Sequence, residues 1–127
     1  MAHEARWRVF FGLAAAFNFA VGTPLLIAPG AMAATLGMAV PDDVLFHRFT
    51  GLLVVCFGLA YAFVARDPQR NRAIVWTGIV GKAGVVALYA QAWLAGGVPF
   101  QAFAVSLGDV AFVAGFVAFL ISHREAK

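Results

Sequence analysis

The chain has 127 residues, of which 63% are hydrophobic and 12% charged, whereas soluble domains are nearer half apolar and a quarter charged. This composition excludes a disordered chain, which needs low hydrophobicity and high charge, and the single cysteine, Cys56, excludes a disulfide-rich scaffold. A chain this short cannot hide so much apolar surface from water, so the composition favours an integral membrane protein over a soluble enzyme.

The formal net charge of +3 would suit a nucleic-acid partner, but the placement of the charges argues against one. Most basic residues lie in three short clusters beside apolar stretches: Arg6 and Arg8; Arg66, Arg70 and Arg72; Arg124 and Lys127. This arrangement is typical of the cytoplasmic ends of membrane spans. We therefore expect the lipid bilayer, and no nucleic acid, as the principal partner.

Four apolar stretches are long enough to cross a bilayer as helices, since about 20 residues rise roughly 30 Å. They cover about residues 7–27, 45–65, 73–95 and 100–121. Isolated strands are excluded because hydrocarbon leaves their edge groups unpaired, and the stretches are too evenly apolar for barrel strands. The sequence predicts an all-α fold with a single domain over residues 1–127, a four-helix transmembrane bundle.

The connections predict how the spans are arranged. The 66–72 and 96–99 links are short, so neighbouring helices should be antiparallel, in up-down-up-down order. With four crossings, all three basic clusters fall on one side and only Arg48 lies on the other. The positive-inside rule then places both termini of this multi-pass protein in the cytoplasm.

The longest connection, residues 28–44, separates the first two spans. Its middle predicts a short interfacial helix ended by Gly37, with Met32, Leu36 and Met38 in the outer interface. Asp42 or Asp43 is the expected N-cap of the second span.

A signal peptide is the alternative interpretation of the first span. Arg6 and Arg8 resemble the charged start of a signal peptide, and Ala31-Met32-Ala33 has the small-x-small pattern of a cleavage site. The apolar stretch of about 20 residues exceeds the usual length of about 7–15. We therefore expect it to be retained as a helix.

Polar residues inside the spans are costly and predict a site. From the helix rise, Asn18, Lys82 and Asp109 lie roughly 16, 15 and 13 Å into their spans, so they should converge near the midplane. We predict that Lys82 and Asp109 pair, with Arg48 capping Asp109 from above. His47 beside it is expected to be an interfacial residue.

Helical phase at about 100° per residue predicts which side of each span faces inward. The inward positions are Phe11, Ala14, Ala15, Asn18, Gly22 and Leu25; Arg48, Gly51, Leu52, Val55 and Leu59; Gly78, Gly81, Lys82, Val85, Tyr89 and Ala92; Ser106, Asp109, Phe112, Val113 and Phe116. Trp76, Val80 and Ala87 should face lipid.

These polar groups have three interpretations. They hold the helices together, they line a polar pocket under an aromatic lid, or they form a proton relay through Lys82, Asp109 and His47. The candidate ligand-binding residues are Asn18, Arg48, Lys82, Tyr89, Asp109 and Phe112. No catalytic or metal-binding residue is predicted, because no zinc spacing, phosphate loop or nucleophile triad occurs. The cofactor is unknown, and haem is disfavoured because His47 has only the distant Met38 as a second axial ligand.

Several short motifs follow one another along the chain: Gly22-Thr23-Pro24, Leu36-Gly37, Phe46-x-Arg48-x-x-Gly51, Phe57-Gly58-x-x-Tyr61 and an Arg-Asp-Pro turn at 66–68. Together they resemble the DoxX-like superfamily of small bacterial four-helix membrane proteins. The resemblance covers nearly the whole chain and implies a four-helix bundle in the bacterial inner membrane. Some relatives are quinone-reducing subunits of sulfur oxidation and others accompany redox enzymes, but no catalytic residue carries over.

Three functions follow from these observations. The first is binding of a lipophilic small molecule, a quinone or a lipid, or service as an accessory subunit of a membrane redox complex. The second is an oligomeric small-solute or proton-coupled transporter, in which the small residues Ala104, Gly108, Ala111 and Gly115 pack against a second copy. The third is a membrane-embedded enzyme with Lys82 or Asp109 as acid or base.

Overall fold

The computed structural model describes residues 2–124, which form five α-helices and no strand. The helices are α1 (Ala2–Ile27), α2 (Pro29–Thr35), α3 (Leu45–Arg66), α4 (Arg72–Leu94) and α5 (Phe100–Ser122). Four of them, all but α2, are long and apolar enough to cross a membrane. The prediction of an all-helical fold with four candidate spans is confirmed. Lys127, from the third predicted basic cluster, lies outside the described residues.

Helix α1 begins five residues before the predicted span, because its polar first turn has partners. Trp7 Nε1 donates to His3 Nε2 at 3.1 Å, one helical turn away. Glu4 Oε1 lies 2.9 Å from Nε2 of His123, at the end of α5. These contacts bring the start of α1 against the end of α5.

The predicted short helix between the first two spans is present as α2. Pro29 occupies its first turn, where the missing N–H of proline costs no hydrogen bond. Gly37 follows with a φ of +70°, a conformation that glycine adopts without steric cost. The expected N-cap of α3 is wrong: Val44, and not Asp42 or Asp43, is the N-cap residue, and it makes no side-chain capping bond. Asp43 lies one residue earlier, and its Oδ1 accepts the N–H of Leu45 at 2.8 Å.

Helices α1 and α3 pack with their backbones in direct contact. A methyl group added to Gly51 would lie 2.5 Å from the backbone nitrogen of Leu26, and one added to Gly22 would lie 2.9 Å from that of Val55. Only glycine allows so close an approach. The start of α3 therefore lies against the end of α1.

The side-chain core lies in the half of the bundle that holds the start of α1 and the end of α5, which we call the packed half. Its aromatic rings interlock: the centroids of Phe11 and Phe116 are 5.2 Å apart, and those of Tyr61 and Phe116 are 5.3 Å apart. The buried cluster comprises Phe11, Ala14, Ala15, Tyr61, Val64, Val75, Phe116, Phe119 and Leu120. All four long helices contribute to it.

The predicted inward face of α3 is partly wrong. Gly51 is buried, but Leu52 and Leu59 are 46% and 52% exposed. The inward stripe instead continues from Gly51 through Gly58 to Tyr61, all of them buried. The prediction used Arg48 to orient the helix, and Arg48 lies at the edge of the α1 contact. On α4, by contrast, Trp76, Val80 and Ala87 are exposed as predicted.

The glycines expected to pack a second copy are covered within the chain. A methyl group on Gly108 would lie 2.9 Å from the ring of Phe17, and the ring of Phe10 lies directly over Gly115. Within the chain, these two glycines are notches for two aromatic rings of α1. Their predicted role in packing a second copy stays a prediction.

Candidate functional site

A buried ion pair joins α4 and α5. Nζ of Lys82 lies 2.5 Å from Oδ1 of Asp109, and the two side chains are 6% and 12% exposed. The prediction that these charges pair is confirmed. Pairing removes most of the cost of placing each charge in an apolar environment, since an unpaired charge there would be strongly unfavourable.

Asn18 of α1 completes a polar cluster with this pair. Lys82 Nζ donates to Asn18 Oδ1 at 2.9 Å, and Asn18 Nδ2 donates to the backbone oxygen of Val54 in α3 at 3.1 Å. The predicted convergence of the three polar residues is confirmed. Because the amide nitrogen is engaged by a carbonyl, the amide oxygen is held towards the ammonium, and all four long helices meet at this level.

Three aromatic rings surround the ammonium of Lys82. The Nζ atom lies 5.2, 5.4 and 5.3 Å from the ring centroids of Phe17, Tyr61 and Phe112. Cations are attracted to ring faces at such distances. The sequence predicted Phe112 but missed Phe17 and Tyr61 as site residues. Both were recognisable, because Phe17 adjoins Asn18 and Tyr61 continues the α3 stripe at a spacing of three from Gly58.

A cavity of about 480 Å³ lies beyond the polar cluster, on the side of α2. We call the half of the bundle that contains it the open half. All five helices contribute to its wall, and most of the lining is apolar, including Phe17, Val21, Leu25, Met32, Leu36, Phe46, Leu53, Val54, Phe57, Gly81, Val85 and Val105. The two charged side chains of the lining, Lys82 and Asp109, lie together beside Asn18. The cavity thus has one charged end and a mostly apolar wall.

A second polar group lines the same cavity from the start of α3. Among the described residues, Nδ1 of His47 is the one buried side-chain nitrogen or oxygen without a hydrogen-bond partner. His47 precedes Val54, which bonds Asn18, by seven residues, or about 10 Å along the helix. Buried polar atoms normally have partners, and this nitrogen is an exception within the described residues.

Tyr89 and Ser106 also line the cavity. Tyr89 is half-buried on α4, two turns beyond Lys82, as its predicted inward position requires. The hydroxyl of Ser106 donates to the backbone oxygen of Phe103 at 2.6 Å and is therefore already engaged. Met32 and Ala33 of α2 also contribute to the lining, and the expected aromatic lid stays a prediction.

Arg48 does not cap Asp109, so that prediction is wrong. Its side chain is exposed, and its Nε donates to the backbone oxygen of Leu26 at 3.1 Å. Leu26 lies in the last turn of α1, where carbonyl groups lack helical partners and carry partial negative charge. The guanidinium satisfies that helix end, and Arg48 is not among the cavity-lining residues.

In residues 2–124, no group of three or more His, Cys, Asp or Glu side chains is placed to hold a metal ion. The cluster can supply a charged hydrogen-bond donor, Lys82, and a carboxylate, Asp109, at the end of an apolar cavity. That combination can anchor the polar end of a lipophilic molecule.

Comparison with known proteins matched no family model, no curated protein and no solved structure. The resemblance to the DoxX-like superfamily therefore stays a prediction from the short motifs.

Proposed function

We propose that the chain is a small multi-pass protein of a bacterial inner membrane that binds a lipophilic small molecule, a quinone or a lipid, in its intramembrane cavity. The four spans cross in up-down-up-down order with both termini in the cytoplasm. The basic residues at 6–8, 66–72 and 124 support this orientation, because they all lie at the end of the bundle that holds the termini.

The observation that carries the proposal is the cavity with its single charged end. Its volume of about 480 Å³ falls within the range of small-molecule sites, which are mostly apolar with a few convergent polar groups. Isoprenoid or acyl chains suit the apolar wall, and a carbonyl or ester oxygen suits the charged end. The motifs that resemble DoxX-like proteins, some of which reduce quinones, support the quinone class.

The donors at the charged end have capacity for a ligand. An ammonium has three N–H donors, and the two acceptors that bond Lys82 are Asn18 Oδ1 and Asp109 Oδ1. One donor therefore remains for a ligand oxygen at the base of the cavity. The His47 side chain also lines the cavity, near its other end.

The proposal is tested by filling the cavity from a position that leaves the fold intact. A side chain at Gly81 meets no atom within 4 Å, and Gly81 lines the cavity. Gly84 has equally open surroundings one turn along α4 but does not line it. Gly81→Leu places an isobutyl group inside the cavity, and Gly84→Leu is the matched control.

The measurement is native mass spectrometry in mild detergent, with solvent extraction and chemical identification of what the protein retains. We expect wild type and Gly84→Leu to carry a lipophilic molecule in similar amounts, and Gly81→Leu to lose most of it. Equal retention by Gly81→Leu, or a wild-type protein that carries no such molecule, would refute the proposal.

A further inference from the structure

A second groove lies on the opposite side of the polar cluster from the cavity, at the end of the bundle that holds the chain termini. It has a volume of about 290 Å³ and lies between the start of α4 and the end of α5. Its lining comprises Arg72, Trp76, Ile79, Val117, Leu120, Ile121 and Arg124. Two guanidinium groups thus stand at one end of an apolar groove, and none of the described residues that line it is acidic.

The basic end of the groove is held in place by the fold. Arg72 Nη1 donates to the backbone oxygen of His123 at 2.6 Å, and the guanidinium lies 6.0 Å from the ring centroid of Phe119. That bond satisfies a carbonyl at the end of α5, where cations are favoured. A guanidinium has five N–H donors, so Arg72 keeps donors for an anion while its position is fixed.

The apolar part of the groove runs towards the middle of the helices. Seven residues separate Arg72 from Ile79, a distance of about 10 Å along α4. Val117 and Ile121 face it from α5 and are 38% and 55% exposed. Trp76 is 59% exposed beside Arg72, at the level where tryptophans of membrane proteins meet the headgroups.

We propose that this groove binds one anionic phospholipid, with the phosphate on Arg72 and Arg124 and an acyl chain against Ile79 and Val117. Charge complementarity selects the occupant, because paired basic side chains at a membrane surface attract anionic headgroups. Guanidinium groups match phosphate oxygens in geometry and charge. The apolar floor makes the site specific for a lipid rather than for free phosphate.

The test compares binding of phosphatidylglycerol and phosphatidylcholine with identical acyl chains. The purified protein is mixed with equal amounts of both, and the bound lipid is counted by native mass spectrometry. Each arginine near the surface should contribute about fivefold, so wild type should prefer phosphatidylglycerol by about 25-fold. Arg72→Gln/Arg124→Gln should bring the ratio close to one. Arg70→Gln removes one positive charge from the adjacent turn, outside the groove, and should keep the wild-type ratio.

A second pair of variants leaves the charges in place, so the test stands even if the arginine variant folds poorly. Val117→Trp fills the groove and should lower the amount of bound phosphatidylglycerol at least fivefold. Val110→Trp, two turns away on α5 and outside the groove, should not. Excess glycerol phosphate should fail to displace the lipid. No headgroup preference, an equal loss in Arg70→Gln, full binding by Val117→Trp, or displacement by glycerol phosphate would each overturn the proposal.

Discussion

The packed half and the open half of the bundle contain similar apolar residues but differ in how closely these residues pack. Both are built from apolar segments of the same long helices. In the packed half, rings such as Phe11, Phe116 and Phe119 are fully buried against one another. In the open half, apolar side chains line a cavity of about 480 Å³.

The polar cluster lies at the boundary between these halves, and this position explains how it can serve a ligand. On one side, Lys82 rests against Tyr61 and Phe112, whose rings belong to or adjoin the packed half. On the other side, the ammonium and Asp109 border open space. A charge pair can therefore be buried and still be accessible from one direction. A rigid base and an open face are what a preorganised binding site needs.

The largest expected effect comes from breaking the charge pair. Asp109→Ala leaves the Lys82 ammonium buried without its counter-charge and should lower the free energy of unfolding by about 3–5 kcal/mol. The measurement is unfolding in mixed micelles with increasing sodium dodecyl sulfate.

A double variant separates loss of the pair from loss of packing. Lys82→Met/Asp109→Leu replaces both charges with apolar groups of similar size and should recover most of the lost stability. It should also bind the lipophilic ligand poorly, since the charged end is gone. A double variant as unstable as Asp109→Ala would show that the ion pair stabilises the fold by more than neutralising its own two charges.

An intermediate effect on stability is expected when a single methyl group is added to a glycine in the packed half, compared with one that borders the open half. A methyl group on Gly78 would lie 2.7 Å from the Tyr61 hydroxyl and 2.9 Å from the Phe116 ring. Gly78→Ala should therefore destabilise the protein by about 1–3 kcal/mol through overpacking. Gly81→Ala, one turn along the same helix, meets open space and should be neutral or stabilising by up to about 1 kcal/mol. Similar losses in the two variants would show that the halves do not differ in packing.

The smallest effect on stability is expected from Tyr89→Phe. Tyr89 lines the open half, and removing its hydroxyl leaves the ring in place, so the free energy of unfolding should change by less than about 0.5 kcal/mol. If the hydroxyl bonds the ligand, the affinity should fall about fivefold, as for the loss of one hydrogen bond. The check is a titration of the extracted ligand. A stability loss above about 1 kcal/mol would place Tyr89 in the structural core instead.

Hydropathy and helix rise predicted much of this architecture because both are local properties of the sequence. They located four helices that are long and apolar enough to cross a membrane, and they predicted that Asn18, Lys82 and Asp109 lie at one level. They did not predict how α3 is rotated, because periodicity relates residues on a helix without saying which stripe faces inward. For that reason Arg48 was predicted, wrongly, to cap Asp109. Its actual acceptor, a backbone carbonyl of Leu26, has no sequence signature.

The cavity was harder to foresee than the ion pair. Its volume depends on the distance between helices, which is set by close contacts such as that of Gly51 with Leu26. Gly78 and Gly81 look alike in the sequence, yet one touches two rings and the other borders empty space. Only the packing of the neighbouring helices tells them apart.

The notches at Gly108 and Gly115 have a consequence for the axial alignment of α1 and α5. They are seven residues apart, as are the rings of Phe10 and Phe17 that fill them. A shift of one helix by a single turn along its axis would break both of these ring–glycine contacts at once. Phe17 adjoins Asn18, and Gly108 adjoins Asp109. The two contacts between a ring and a glycine therefore fix the axial register of α1 and α5. They hold the amide of Asn18 and the carboxylate of Asp109 at matching heights on either side of Lys82.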